Sequence, residues 1–225
     1  MTIAVLEGRA RDLFIRLSAA MIAVVGLLAF ALTQVGGDGL RLLLATALAA
    51  SVAAGGAALC MLVQQQRLGM DAALHPLAVA RWASALLAAV IGPLLTALLV
   101  LGVVWAVAMA ISPKASAGSL AGVGVAWLVL PMALLITGTA ALRTVAVAAG
   151  RPLDVRDAIA LVEGQEWSLV PVGLALALAV LLTLAGVVGV ALGFAAAAAA
   201  ILLGLFLLVP ASIRLAVHGE RLGLR

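Results

Sequence analysis

The chain reads as an all-α, polytopic membrane bundle of six crossings with both termini in the cytoplasm. Three observations carry that reading. The 225 residues are 67% hydrophobic and only 10% charged, whereas a soluble domain has about 45–50% apolar and about 25% charged residues. A chain this apolar cannot hide its surface in water, so its solvent is largely lipid. The apolar residues also fall in stretches of membrane length, and the arginines stand at the ends of those stretches, almost all on one side.

A hydrocarbon core about 30 Å thick takes roughly 20 apolar residues of helix. Residues 1–16 form an amphipathic arm. The first crossing is expected at 17–35, ended by Gly36-Gly37-Asp38-Gly39, and the second at 42–63, ended by Gln64-Gln65-Gln66-Arg67. The third, at 83–111, is long enough to tilt or protrude, and Ser112-Pro113-Lys114 stops it. The fourth, 119–142, stops at Arg143. Residues 168–213 carry no charge and are about twice one crossing in length. They divide near 186–193 into crossings at 168–188 and 190–213, the alternative being one crossing and a re-entrant segment. Ala29-Phe30-Ala31 has the spacing of a signal cleavage site. The acids Glu7 and Asp12 in the preceding segment favour a retained crossing.

Orientation follows from the basic residues, because cytoplasmic loops of membrane proteins carry the excess of arginine and lysine. With the N-terminus inside, Arg9, Arg11, Arg16, Arg67, Arg81, Arg143, Arg151, Arg156, Arg214, Arg221 and Arg225 are cytoplasmic. Arg41 and Lys114 fall outside. An even number of crossings returns the C-terminus to the same side. The alanine-rich, lysine-poor usage points to a bacterial source, hence the inner membrane. Although the net charge is +4, the arginines form no patch with interleaved aromatics, so nucleic acid is not an expected partner.

Specificity is expected in two cytoplasmic loops, 64–82 and 143–167. In the second, Asp154 is suited to cap a short interfacial helix, and Asp157 three residues on suits the helix N-terminus. Val155, Ile159 and Val162 recur at helical spacing, with Arg156, Asp157 and Glu163 polar. Gly164 loosens the chain before Trp167, a headgroup-layer anchor. Loop one is a shorter version: Asp71 caps, Leu74 and Leu77 are apolar, Pro76 interrupts and Trp82 anchors the return. Arg67, Asp71, Leu74, Arg151, Asp154, Arg156 and Asp157 are the candidate partner-docking residues. The series Arg67…Asp71…Trp82 and Arg151…Asp157…Trp167 run in parallel, as an internal repeat would and as any two interfacial loops could.

Inside the crossings the chemistry is sparse. No Asp, Glu, Lys, Arg or His falls in the middle of a proposed span, although intramembrane ionisable groups are what proton relays and ion-coupled transporters use. His75 and His218 have no second ligand at metal spacing, and no nucleophile–base arrangement is visible. No enzymatic activity, cofactor or metal is expected. Cys60 stands alone in an apolar run and reads as a small hydrophobe. Pro93 and Pro131 are candidate hinges, since proline frees a helix carbonyl and kinks the axis. Pro171 and Pro210 are expected near helix ends, where that cost is small. Gly118-x-x-x-Gly122 and Gly189-x-x-x-Gly193 permit close helix approach, and the abundant alanine favours a compact bundle over a water-filled pore.

The order of arm, two crossings, cytoplasmic segment and further crossings resembles the six-helix permease subunits of ABC exporters. In that family an arginine–acid pair precedes a glycine, a polar residue, leucines and a proline. Arg67, Gly69, Asp71, Leu74 and Pro76 stand in that order here. The resemblance implies a coupling segment at 65–82 and a cytosolic ATPase partner. The run Gly150-Arg151-Pro152-Leu153 with Asp157-Ala158 also resembles bacterial six-span membrane domains of the Yip-like kind, which implies topology rather than activity. The expected function is therefore a permease-like, transport-associated subunit working with a cytosolic partner. The alternative is a scaffold that organises lipid or another membrane-protein subunit, and self-association fits either reading.

Overall fold

The structure, a computed structural model, describes residues 8–71, 74–111, 115–151, 153–162 and 166–224. Among these the chain is all helical. Six helices are long and apolar enough to cross a membrane: α1 (Gly8–Gln34), α2 (Asp38–Arg67), α3 (Pro76–Ile111), α4 (Ala115–Ala148), α6 (Val170–Ala191) and α7 (Ala198–Arg221). A short helix, α5 (Val155–Val162), and a 3-10 turn (Glu166–Leu169) connect α4 to α6. Another 3-10 turn, Ala195–Ala197, leads into α7. Residues 168–213 thus hold two separate long helices joined by a tight turn, and the re-entrant alternative is set aside.

The helices run past the expected boundaries. Residues 8–16 are the first turns of α1 rather than a separate arm. No helix breaker separates Arg16 from Leu17, and Ala10 buries itself against Leu62 and Val63 of α2, with Leu13 and Phe14 packed beside it. The glutamines 64–66 belong to α2, where Gln64 and Gln65 are buried. Pro76 starts α3 instead of interrupting a loop helix. Proline is favoured in a first helical turn, where its missing N–H costs nothing. Loop one therefore shrinks to residues 68–75, and α4 runs to Ala148, so that Arg143 lies within it.

Successive long helices alternate in direction, which sorts the charges into two ends. At one end stand the described side chains of Arg11, Arg16, Arg67, Arg81, Arg143, Arg151, Arg156, Arg214 and Arg221, and at the other stands Arg41. Lys114 lies outside the described residues, as do Pro152, Glu163 and Gly164 of loop two.

Two cores divide the bundle by height. At the arginine-rich end one apolar core joins five long helices, through residues such as Met61, Trp82, Leu142, Leu176 and Leu215, together with Val162 of the short α5. At the opposite end a second core takes Val25, Leu32, Leu48, Val52, Val190 and Ile201 from α1, α2, α6 and α7 and, among the described residues, nothing from α3 or α4. The bundle is a four-helix arm and an α3–α4 hairpin that share a core at one end only. Glycines set the tightest contacts. A Cβ on Gly173 would strike the Leu134 carbonyl, and one on Gly138 would lie 2.5 Å from the Leu169 carbonyl. These two glycines let α4 and α6 meet backbone to backbone.

Candidate functional site

The described polar side chains that lie buried between helices cluster toward the arginine-rich end. Trp82 Nε1 donates to Gln64 Oε1 at 2.8 Å, and Gln64 Nε2 donates to Thr144 Oγ1 at 3.4 Å. The Thr144 hydroxyl donates onward to the Ala141 carbonyl at 2.7 Å. The chain of donors ties α3 to α2 and α2 to α4. One turn on, Gln65 Nε2 reaches the Ala148 carbonyl at 3.4 Å. Every polar atom of Gln64 is thereby matched in an apolar setting, where an unmatched amide is costly. Nearby, the Cys60 thiol faces the Ser212 hydroxyl, which makes no conventional hydrogen bond.

This latch corrects the expectation for Trp82. The residue is 1% exposed and serves the interior, not a headgroup layer. Trp167, by contrast, is 73% exposed in the turn before α6. Gln64 and Thr144 were not foreseen as a pair. A run of three glutamines following an apolar stretch reads as a loop by hydropathy, and only the helical register puts two of them toward neighbours.

The docking candidates occupy the surface around the latch. Arg67 ends α2 and pairs with Glu220 of α7 at 3.6 Å. Asp71 is exposed in loop one, and Leu74 is half-buried against the cores below it. Arg151 is exposed and follows Gly150, whose positive φ of 69° stops α4. Asp154 is exposed and immediately precedes α5, its carbonyl accepting from Ala158 N at 3.0 Å. Arg156 and Asp157 are exposed on α5, while Ala158 and Val162 are buried beneath. Arg143 holds this loop in place by donating from Nε to the Leu153 carbonyl at 3.1 Å. Among the described residues, none of these charged candidates pairs with another, so they form a rim and not one constellation.

The parallel between the two loops does not survive in three dimensions. Both α2 and α4 end in the same glycine cap, with Met70 N to Gln65 O and Arg151 N to Ala146 O. The same cap ends α6 at Gly193 and α7 at Gly223, so it is a general stop signal. Beyond the cap, the next helix after α2 is the long α3 from Pro76, whereas the next after α4 is the short α5 from Val155. Asp71 lies in the loop and Asp157 in a helix, and Trp82 is buried where Trp167 is exposed.

Two clefts open on the sides of the bundle. One, of about 530 Å³, lies between α3 and α4 and is lined by Pro93, Thr96, Val100, Leu128, Met132 and neighbouring apolar residues. The other, of about 220 Å³, lies between α2, α3, α6 and α7. Trp82, Leu86, Gly56 and Val180 form its buried floor, and Ala53, Leu87 and Leu184 form an exposed rim. Neither is lined by a charged residue. Among the described residues, no three His, Cys, Asp or Glu side chains come together to hold a metal ion.

Fold and site define a class: an all-helical bundle with six membrane-length apolar helices, latched by polar side chains at its basic end. No protein-family model matches the chain, and no similar curated protein or solved structure was found.

Proposed function

We propose that the chain is a non-enzymatic, multi-pass protein of a bacterial inner membrane that organises lipid or a neighbouring membrane protein. Its arginine-rich end and both termini face the cytoplasm. The observation that supports this reading best is the apolar lining of both clefts. A solute path through a bundle needs polar or charged groups along its length. The buried polar side chains toward the basic end of α2, α3 and α4 are instead spent on joining helices. The excess of arginine at one end suits an anionic leaflet, where each basic residue near the surface contributes about 1 kcal/mol.

A permease-like subunit driven by a cytosolic ATPase is the second reading. It is favoured by α5, which exposes Arg156 and Asp157 on a helix seated over the core. Loop one, at residues 68–75, offers no long coupling segment for such a partner.

Purification from the native membrane in mild detergent separates the two. Recovery alone or with another membrane protein, and no leak of small solutes from reconstituted vesicles, is the expected result. A stoichiometric nucleotide-hydrolysing partner, lost when Arg156 is changed to Glu, would replace the scaffold reading with the permease one.

A further inference from the structure

The lateral cleft of about 220 Å³ between α2, α3, α6 and α7 lies at mid-depth of the bundle. Its α2 wall, Ala49, Ala53 and Gly56, stands around the middle of Asp38–Arg67, and Val180 on its α6 wall stands at the middle of Val170–Ala191. In helices that cross a bilayer, the middle is about 15 Å from either headgroup layer, since the hydrocarbon core is about 30 Å thick. Neither water nor a headgroup fills space there; the ends of lipid chains do. The walls suit that filling. The two lining side chains with polar atoms are matched within the protein: Thr183 Oγ1 donates to the Ala179 carbonyl and Trp82 Nε1 to Gln64 Oε1, each at 2.8 Å. The cleft therefore turns no free donor toward a polar ligand. It is also held open. A Cβ on Gly56 would come 2.8 Å from Leu205 Cδ2, and one on Gly204 would come 2.7 Å from the Ala179 carbonyl. With α2 and α6 both packed this closely on α7, their spacing is fixed and the gap between them does not close by small shifts. The rim at Ala53, Leu87 and Leu184 is exposed and opens to the surrounding lipid.

We infer that this cleft is a binding site for the terminal segment of one phospholipid acyl chain. Left empty, its lining would forfeit dispersion contacts on one side. A partner's helix is too thick to restore them, since one turn of a helix about 10–12 Å across occupies roughly 400–600 Å³. A single methylene chain is thin enough, and it brings no polar group into a site that offers none a partner. The inference rests on the lipid-organising reading and gives that reading a site.

Quenching of Trp82 by brominated lipid tests it. Trp105, Trp127 and Trp167, all exposed, are changed to Phe so that Trp82 alone fluoresces. The full chain is then reconstituted in phosphatidylcholine vesicles whose acyl chains carry bromine near their ends. Bromine quenches an indole at close range, so Trp82 should be quenched, and less so when the bromines stand near the glycerol. Ala53→Leu puts a side chain into the cleft from its exposed rim and should remove most of the quenching. Ala54→Leu, exposed on the same helix but outside the cleft, should leave it unchanged. Equal quenching in these two variants, or none in the parent, would overturn the site. Mass spectrometry of the protein purified from its native membrane is the second measurement. A retained phospholipid that Ala53→Leu loses is the expected result, and a retained isoprenoid lost in the same way would overturn the acyl chain as occupant. If the site fails by these measures in a chain that purifies without a nucleotide-hydrolysing partner, the inference falls and the scaffold reading stands.

Discussion

At the scale of single residues, Gln64 is the side chain on which most depends. It lies between a donor, Trp82, and an acceptor, Thr144, and is itself fully buried. Replacing it with Leu leaves the indole N–H unmatched and should cost about 1–3 kcal/mol. A double-mutant cycle with Trp82→Phe should give a coupling of about 0.6 kcal/mol, the average for hydrogen bonds between membrane helices, and no more than about 1.7 kcal/mol. Denaturation in mixed micelles would measure both, and a coupling of zero would show that the 2.8 Å contact does not join the helices energetically. Gly173 is the second sensitive position. Its Cβ would meet the Leu134 carbonyl, so Gly173→Ala should destabilise by about 1–3 kcal/mol through forced separation of α4 and α6. A stability equal to wild type would mean that the backbones part without penalty. The Arg67–Glu220 pair, at 3.6 Å with side chains 42% and 24% exposed, should matter far less. Glu220→Gln is expected to change stability by under about 1 kcal/mol, and the change should fade with added salt.

At the scale of elements, α5 is short and gains its stability from what it buries. Eight residues are too few to hold a helix in isolation. Ala158 and Val162 are both about fully buried, at 0% and 1% exposed. Val162→Asp would bury an unpaired charge in that contact, so α5 should detach. Limited proteolysis of the purified variant should then cut at 151–165 faster than in wild type, while α4 and α6 remain intact. Unchanged cleavage would mean that α5 is not docked through Val162. The continuity of α1 follows similar reasoning. Residues 8–16 stay helical because an apolar face meets α2 and because nothing at 16–17 breaks the run. The glycine caps at Gly69 and Gly150 work in the opposite sense, since the positive φ there favours a residue without a side chain.

At the scale of the whole molecule, α3 and α4 are 36 and 34 residues long and α6 and α7 are 22 and 24. Among the described residues, the outer half of the long pair contributes no buried side chain to either core. Orientation belongs to this scale as well. Single cysteines at Asp71 and Arg151 should react with a membrane-impermeant thiol reagent only from the cytoplasmic side, and one at Gly37 only from the outside. The reverse pattern would invert the molecule and move the arginine-rich end off the anionic leaflet.

The sequence by itself determined the number, type and rough placement of the long helices. Apolar runs of membrane length, broken by Gly36-Gly37, Pro113 and Gly193, are local features, and helix formation in lipid is a local requirement because every backbone group must be satisfied within its own segment. The short helix after Asp154 was legible from local signals of another kind, the acids at its start and the helical spacing of Val155, Ile159 and Val162. What only the tertiary structure decided is where each helix ends relative to its neighbours and which polar residues turn inward. Hydropathy assigns Gln64 and Gln65 to water, because it scores a residue without its partner. In the fold, Trp82, Thr144 and the Ala148 carbonyl supply those partners, and the cost of burying an amide is offset by hydrogen bonds from helices far apart in sequence. The split of the bundle into two cores was hidden for a related reason. Pro93 and Pro131 each read as a kink in one helix, and their coincidence with the end of the shared core is a property of five helices packed together.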